Sequence, residues 1–255
     1  MTKTVDSSPL SVDFMMKMIK HIPNSITCCN LLSGCISIVL SCNGRVELAG
    51  IMIFIAAVFD FFDGFAARLL KAYSPLGAQL DSLSDVVSFG VAPSFIMYGY
   101  LSQQTTANSL SLEIAGVNII PFLAFFLAVF AALRLAKFNI DDRQITSFIG
   151  LPTPAMGIFV ASLPFTLRHE ALAFMGGLMN SPLFLLAIVV IFSYLMISEI
   201  PFFSLKVKNL KFKENKHLYL VALFAIIKVA IFGLAAIPFV MLFYIIVAMF
   251  VKPTK

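Results

Sequence analysis

Four aspartates lie within 26 consecutive positions of a stretch that is otherwise largely apolar: Asp60, Asp63, Asp81 and Asp85. The whole chain of 255 residues contains only 13 acidic residues, so this is a marked local concentration. An ionisable side chain within apolar, membrane-like sequence is costly unless a cation or a reaction requires it. The segment from Asp60 to Asp85 is therefore the predicted active site.

The rest of the chain is far more apolar than a soluble domain. Hydrophobic residues make up 60 % and charged residues 12 %, the mean hydropathy is +0.97, and soluble domains carry about 25 % charged residues. These values predict an all-α, polytopic integral membrane helix bundle. At about 20 residues per crossing, the apolar segments predict helices at 24–42, 47–70, 78–101, 118–138, 149–167 and 182–201.

The apolar stretch from Leu218 to Val251 is too long for one crossing, and it predicts two short helices that turn near 233–238. The expected total is about eight transmembrane helices, a six-helix catalytic core plus two C-terminal helices, with six or seven as the alternative. The expected domains are an N-terminal cytoplasmic segment (1–20), a membrane domain (21–206), and a basic loop with the C-terminal helices (207–255).

The basic residues predict the orientation of these helices. With a cytoplasmic N-terminus and eight crossings, fifteen of the 18 lysines and arginines fall on the cytoplasmic side, whereas Arg45 and Arg168 fall outside and Lys228 lies within a helix. This asymmetry follows the positive-inside rule. It predicts a multi-pass protein of the cell membrane whose aspartates face the cytoplasm. The net charge of +5 then reflects topology and attraction for anionic lipid and phosphate, and no nucleic-acid partner is expected.

Helical spacing groups the polar residues of the segment. Positions 60, 63, 64, 67 and 68 project within about 140° of one another, so two aspartates share a helix face with Gly64, Ala67 and Arg68. Gly77, Asp81 and Asp85 are four residues apart and stack on the next helix. The short turn between them, with Ser74 and Pro75, predicts antiparallel neighbours whose acidic faces lie at one depth.

Four carboxylates around one cavity would repel each other strongly. Two divalent cations, or one cation and a protonated carboxyl, would relieve this repulsion. Oxygen ligands without nearby histidine or cysteine favour Mg²⁺ or Mn²⁺, which commonly bind substrate phosphates as well. The small residues Gly64 and Ala67 would allow a ligand to approach the backbone, and Arg68 would pair with a phosphate. An intramembrane ion-pair network and a cation-transport site are the alternatives.

The segment resembles the signature of the CDP-alcohol phosphatidyltransferases at every defined position: Asp60-x2-Asp63-Gly64-x2-Ala67-Arg68-x8-Gly77-x3-Asp81-x3-Asp85. Members of this family are integral membrane enzymes that displace CMP from a CDP-linked lipid with an alcohol. The resemblance also extends to the phosphatidylserine synthase branch, through 21–30, 84–93, 132–139, 148–154 and 198–206. It implies CDP-diacylglycerol and L-serine as substrates, the lipid bilayer as surroundings and a homodimer. Another acceptor, glycerol 3-phosphate or an inositol phosphate, is the alternative within the family.

The resemblance also implies roles for individual residues. Asp60, Asp63, Asp81 and Asp85 match the metal-site aspartates, and Asp85 also matches the general base. Gly64, Ala67, Arg68 and Gly77 match positions that receive the CDP group.

Accessory candidates come from the flanking segments. Polar residues of the first helix could bind the nucleotide, although they could equally cap and pack that helix: Asn24, Thr27 and Asn30. Acceptor-binding candidates are Ser84, Ser88, Arg134, Lys137 and Asn139. For the basic pair among them, Arg134 and Lys137, membrane anchoring is the competing interpretation.

Overall fold

A computed structural model describes residues 21–140, 148–202 and 216–250 of the chain. The predicted N-terminal segment, 1–20, and the basic loop up to residue 215 lie outside the described residues. Within the described ranges the chain is almost entirely helical. The helices are α1 (His21–Cys42), α2 (Val46–Leu69), α3 (Pro75–Asp85), α4 (Ala92–Ala107), α5 (Phe126–Ile140), α6 (Thr153–Arg168), α7 (Ala173–Met179), α8 (Pro182–Ile197), α9 (Lys216–Phe232) and α10 (Ile237–Phe250).

Shorter elements connect these helices. A π-helical segment (Val86–Val91) joins α3 to α4, so that Pro75–Ala107 forms one continuous helical rod of 33 residues. Single 3₁₀ segments span Ile120–Phe125, Glu170–Leu172 and Gly233–Ala236. Two antiparallel ribbons complete the fold, β1 (Glu113–Ile114) with β2 (Val117–Asn118), and β3 (Phe148–Ile149) with β4 (Pro201–Phe202).

The predicted membrane class is confirmed. Five described helical stretches are long and apolar enough to cross a bilayer, or six if the bent pair Glu170–Met179 and Pro182–Ile197 counts as one span. This criterion does not establish the predicted total of eight. Helices α6 and α8 have 16 residues each, which is about 24 Å, whereas the hydrocarbon core is about 30 Å thick.

The C-terminal stretch folds back on itself as predicted. The rings of Phe224 in α9 and Phe243 in α10 stack with their centroids 4.3 Å apart. Residues 19 positions apart in one straight helix would be separated by about 28 Å, so α9 and α10 form a hairpin. Gly233 opens the turn with a φ of +57°, in the left-handed region that favours glycine.

Polar contacts between helix ends occur at both ends of the bundle. On the side away from the aspartates, Arg168 pairs with Glu47 at 2.6 Å, Asn108 donates to the Asn180 carbonyl at 3.0 Å, and Thr166 donates to the Ala235 carbonyl at 3.1 Å. On the side of the aspartates, Asn139 donates to Ser82 at 3.0 Å, and β3 pairs with β4. The aspartates therefore lie toward one end of the bundle.

Close packing around the π-helical segment fixes the helices that carry the site. A Cβ atom at Gly34 of α1 would lie 2.8 Å from Ser88 Cα, and one at Gly157 of α6 would lie 3.1 Å from Phe89 Cα. Both glycines therefore permit backbone contacts that any larger residue would prevent. Phe89 is fully buried at the centre of this contact.

Candidate active site

The turn between α2 and α3 forms as the sequence predicts. The Ser74 hydroxyl caps α3 by accepting a hydrogen bond from the Gly77 N–H at 3.0 Å, and Pro75 occupies the first helical position. Lys71 takes a left-handed φ of +50°, which reverses the chain after α2. Helix α1 packs against both α2 and α3, and a cavity lies between the acidic faces.

Three of the four aspartates converge at the edge of this cavity, which Asp63 and Asp81 line. Carboxylate oxygens of Asp60, Asp63 and Asp81 all lie within 4.8 Å of one another. Two carboxylate oxygens of these residues, Asp63 Oδ2 and Asp81 Oδ1, are buried and have no hydrogen-bond partner among the described residues. Buried anionic oxygens without donors are strongly disfavoured. The cluster therefore fits a bound metal cation, whose charge and coordination would satisfy these oxygens.

The fourth aspartate, Asp85, is held by α1. Its side chain is 7 % exposed, and its Oδ1 accepts a hydrogen bond from Asn30 Nδ2 at 3.3 Å. The Asn30 backbone carbonyl in turn accepts from the Ser88 hydroxyl at 2.9 Å, and the Ser84 hydroxyl donates to the Thr27 carbonyl at 3.3 Å. These bonds fasten α1 to the helix that carries Asp85.

For three candidate residues this arrangement matches helix packing, which the sequence left open beside ligand binding. Asn30 is fully buried against Asp85 and does not line the described cavities around the aspartates, where a nucleotide could reach it. Ser84 and Ser88 are also fully buried and hold α1 instead of lining those cavities. Helical periodicity places the two serine side chains beside Asp85 but does not reveal that α1 covers them.

A first cavity, of about 180 Å³, lies on one side of the cluster. Most residues predicted to receive the CDP-lipid line it: Asn24, Thr27, Gly64, Ala67 and Gly77, together with Asp63 and Asp81. The space beside Gly64 is open, since a Cβ atom there would meet only the Arg68 guanidinium at 3.8 Å, whereas one at Gly77 would lie 2.9 Å from Asn24 Oδ1. Arg68 is exposed and is not among the lining residues.

A second cavity, of about 400 Å³, lies on the other side. Its lining includes Asp60, Asp81, Asp85, Arg134 and Asn139. Because Asp81 lines both cavities, the acidic cluster separates the two. Lys137 is half-buried and lines neither of them.

Sequence reasoning missed two polar residues of the second cavity, Ser82, which pairs with Asn139, and Thr153. The second of these, Thr153, is the more deeply buried. It is the first residue of α6, is fully buried and lies between Pro152 and Pro154, which also line the cavity. The sequence signal was a hydroxyl residue between two prolines at a helix start, a combination that would equally mark an ordinary helix N-terminus.

The geometry defines the chemistry that the site can perform. A carboxylate cluster that holds a divalent cation would suit a phosphate or diphosphate in the first cavity. A separate carboxylate, Asp85, faces the second cavity and can take a proton from a group bound there. Two ligands that meet at the cluster could therefore exchange a phosphoryl-linked group.

Comparisons with known proteins agree with this geometry. The family model of the CDP-alcohol phosphatidyltransferases matches residues 20–196. The chain is 34 % identical over 187 residues to the CDP-diacylglycerol--serine O-phosphatidyltransferase of Bacillus subtilis (strain 168), covering 71 % of this chain and 89 % of that protein. It is 30 % identical over 226 residues to the Helicobacter pylori (strain 26695) protein of the same name, covering 88 % and 87 %.

An archaeal relative is similar to the same extent. The protein of that name from Methanocaldococcus jannaschii is 31 % identical over 189 residues, covering 74 % of this chain and 77 % of the relative. The matched region contains all four aspartates, both cavities and the helices that line them, α1, α2, α3, α5 and α6. On the strength of the family match and of these relatives, the chain belongs to the CDP-alcohol phosphatidyltransferase family.

Proposed function

We propose that this protein transfers a phosphatidyl group from CDP-diacylglycerol to the hydroxyl of L-serine, giving phosphatidylserine and CMP. The observation that carries the proposal is the acidic cluster between two cavities, one lined by Gly64, Ala67 and Gly77 and one by Asp85 and Arg134. The names of the three relatives support both the reaction and the acceptor.

Asp60, Asp63, Asp81 and Asp85 are the proposed metal-site residues, and the first three form the close cluster. Their hard oxygen donors suit Mg²⁺ or Mn²⁺. When bound, such an ion neutralises diphosphate charge and stabilises the departing CMP. The mutual approach of the three carboxylates and their unpartnered oxygens support this assignment.

The first cavity is the proposed site of the CDP group. Gly64 and Ala67 leave room for it, Gly77 permits the close approach of Asn24, and Asn24 and Thr27 offer polar atoms along α1. Arg68, which is exposed one turn beyond Gly64, is a proposed phosphate contact from outside the cavity. The apolar acyl chains of the substrate would remain in the surrounding bilayer.

Asp85 is the proposed general base. It accepts the proton of the serine hydroxyl while that oxygen attacks the phosphorus that bears the diacylglycerol. A new phosphorus–oxygen bond forms to serine, the bond to the CMP oxygen breaks, and CMP leaves with that electron pair. A serine hydroxyl is a weak nucleophile at neutral pH, which is why a positioned base is needed. The Asn30 amide keeps Asp85 oriented for this step.

The proposed catalytic unit is the membrane domain 21–206, embedded in the cell membrane with its aspartates toward the cytoplasm and assembled as a homodimer. The basic residues support the orientation. The orientation is tested by replacing the four natural cysteines and introducing K71C or E113C. An impermeant maleimide applied to intact cells should label E113C and leave K71C unlabelled, and the reverse pattern would invert the topology.

The reaction is tested with the purified protein in detergent, CDP-diacylglycerol, labelled L-serine and either Mg²⁺ or Mn²⁺. We expect CMP release and label in the lipid product. Turnover with glycerol 3-phosphate or an inositol phosphate in place of serine would reassign the acceptor. Cation flux in proteoliposomes without CMP release would instead indicate a transporter.

A further inference from the structure

Two buried polar groups in the second cavity have unused hydrogen-bonding capacity. Thr153 is 0 % exposed and its Oγ1 has no partner within the described ranges, and the same holds for Nε of Arg134, which is 7 % exposed. Both residues line the cavity that also contains Asp85. Because buried polar atoms in folded proteins are nearly always hydrogen-bonded, this pair indicates a place for a ligand.

The charges around the cavity indicate which part of a ligand belongs there. Arg134 is a cation and has only donors to offer. Thr153 begins α6, a helix of 16 residues, whose N-terminus carries partial positive charge. Asp60, Asp81 and Asp85 contribute carboxylates to the same lining. An anionic group is therefore favoured beside Arg134 and Thr153 and disfavoured beside the aspartates.

A carboxylate suits this position better than a phosphate. Arg134 is the one cationic side chain that lines the cavity in the described part of the chain, since Lys137 does not reach it. The planar guanidinium matches a carboxylate with two parallel hydrogen bonds. A phosphate monoester would bring up to two negative charges into a lining that already has three carboxylates and a single cation.

We infer that Thr153 is a specificity-determining residue of the acceptor site, where it donates its hydroxyl hydrogen to the carboxylate of the acceptor beside Arg134. This inference rests on the proposed function and narrows its acceptor to an alcohol that carries a carboxylate. The acceptor then spans the cavity, with its carboxylate at the start of α6 and its hydroxyl at Asp85.

The test compares T153V with T153S and with a matched control, T166V. Valine keeps the shape of threonine without its hydroxyl, and serine keeps the hydroxyl. Thr166 lies at the opposite end of α6, is 1 % exposed and donates to backbone carbonyls. We expect T153V to raise the KM for L-serine roughly tenfold to a hundredfold, the range for losing a hydrogen bond to a charged group. The KM for CDP-diacylglycerol should stay unchanged in T153V, T153S should restore serine affinity, and T166V should leave both KM values unchanged.

A second measurement needs no variant. L-serine methyl ester lacks the carboxylate, so the wild-type protein should use it far less efficiently than L-serine, and T153V should narrow that difference. Three results would overturn the inference. They are an unchanged KM for L-serine in T153V, an equal rise in T153V of the KM values for L-serine and CDP-diacylglycerol, and equal use of L-serine and its methyl ester by the wild-type protein. Absence of any CMP release by the wild-type protein with serine would instead refute the proposed function, so the two failures are distinguishable.

Discussion

The substitution N30A tests how α1 contributes to the reaction. Asn30 is fully buried and lines neither described cavity around the cluster, yet its amide donates to Asp85 Oδ1. If this bond orients the general base, its loss should lower kcat. If Asn30 instead contacts the nucleotide, which is one of the two roles that the sequence alone allows, its loss should raise the KM for CDP-diacylglycerol.

The size of the effect follows from the geometry. The Asn30–Asp85 distance of 3.3 Å lies slightly beyond the usual range for N–H···O bonds, up to about 3.2 Å. Hydrogen bonds to charged groups contribute about 1.5–3 kcal/mol, and we therefore expect a contribution at the lower end of that range. A loss of about 1.5 kcal/mol of transition-state stabilisation corresponds to a roughly tenfold lower kcat.

Steady-state CMP release, measured while each substrate is varied in turn, provides the assay. The control is S37A, which removes another buried hydrogen bond of α1, from Ser37 to the Ala49 carbonyl at 2.9 Å, toward the end of α1 farther from Asp85. Thermal unfolding in detergent should show a loss of stability for both variants, but only N30A should lose kcat. An unchanged kcat together with a raised KM for CDP-diacylglycerol would refute the positioning role.

Three further predictions concern the cluster and the helix packing. D85N should abolish turnover while the binding of CDP-lipid and of metal persists, whereas D60N should weaken the binding of both ligands. Calorimetric titration with Mn²⁺ measures the metal affinity. Equal losses of metal binding in the two variants would contradict these separate roles of Asp85 and Asp60. A chelator should abolish CMP release and added Mg²⁺ or Mn²⁺ should restore it, so activity that survives chelation would count against a metal site. G34A should destabilise the fold by about 1–3 kcal/mol, because its Cβ would meet Ser88. G99A, with nothing within 4 Å, should instead be neutral or stabilising by up to about 1 kcal/mol, and similar unfolding midpoints for the two variants would refute the packing argument.

Local chemistry explains why much of the fold was predictable. Hydropathy and length located the helical segments, because each must present an apolar surface to lipid over a known distance. The cap at Ser74 and the C-terminal turn at Gly233 depend on residues within a few positions of the break. The number of crossings was less predictable, because α6 and α8 are shorter than a bilayer core and length alone does not decide them.

The residues of the site likewise include some that local sequence predicts and some that it does not. Asp60, Asp63 and Asp81 were predicted together because helical periodicity puts them on facing surfaces joined by a short turn. Periodicity fixes the face of a helix but not the helix that lies against that face. The contact of Asn30 with Asp85 joins residues 55 positions apart, and no local pattern distinguishes it from a contact with a nucleotide.

By itself, the sequence determined the membrane class, the acidic signature and the family resemblance, because these depend on composition and on spacing along one or two helices. Only the tertiary structure decided that the cluster separates two cavities and that Thr153 lines one of them with Arg134. The physical reason is that cavities arise where helices distant in sequence fail to pack closely. Their positions depend on contacts such as those of Gly34 and Gly157, which bring some helix backbones together and leave others apart.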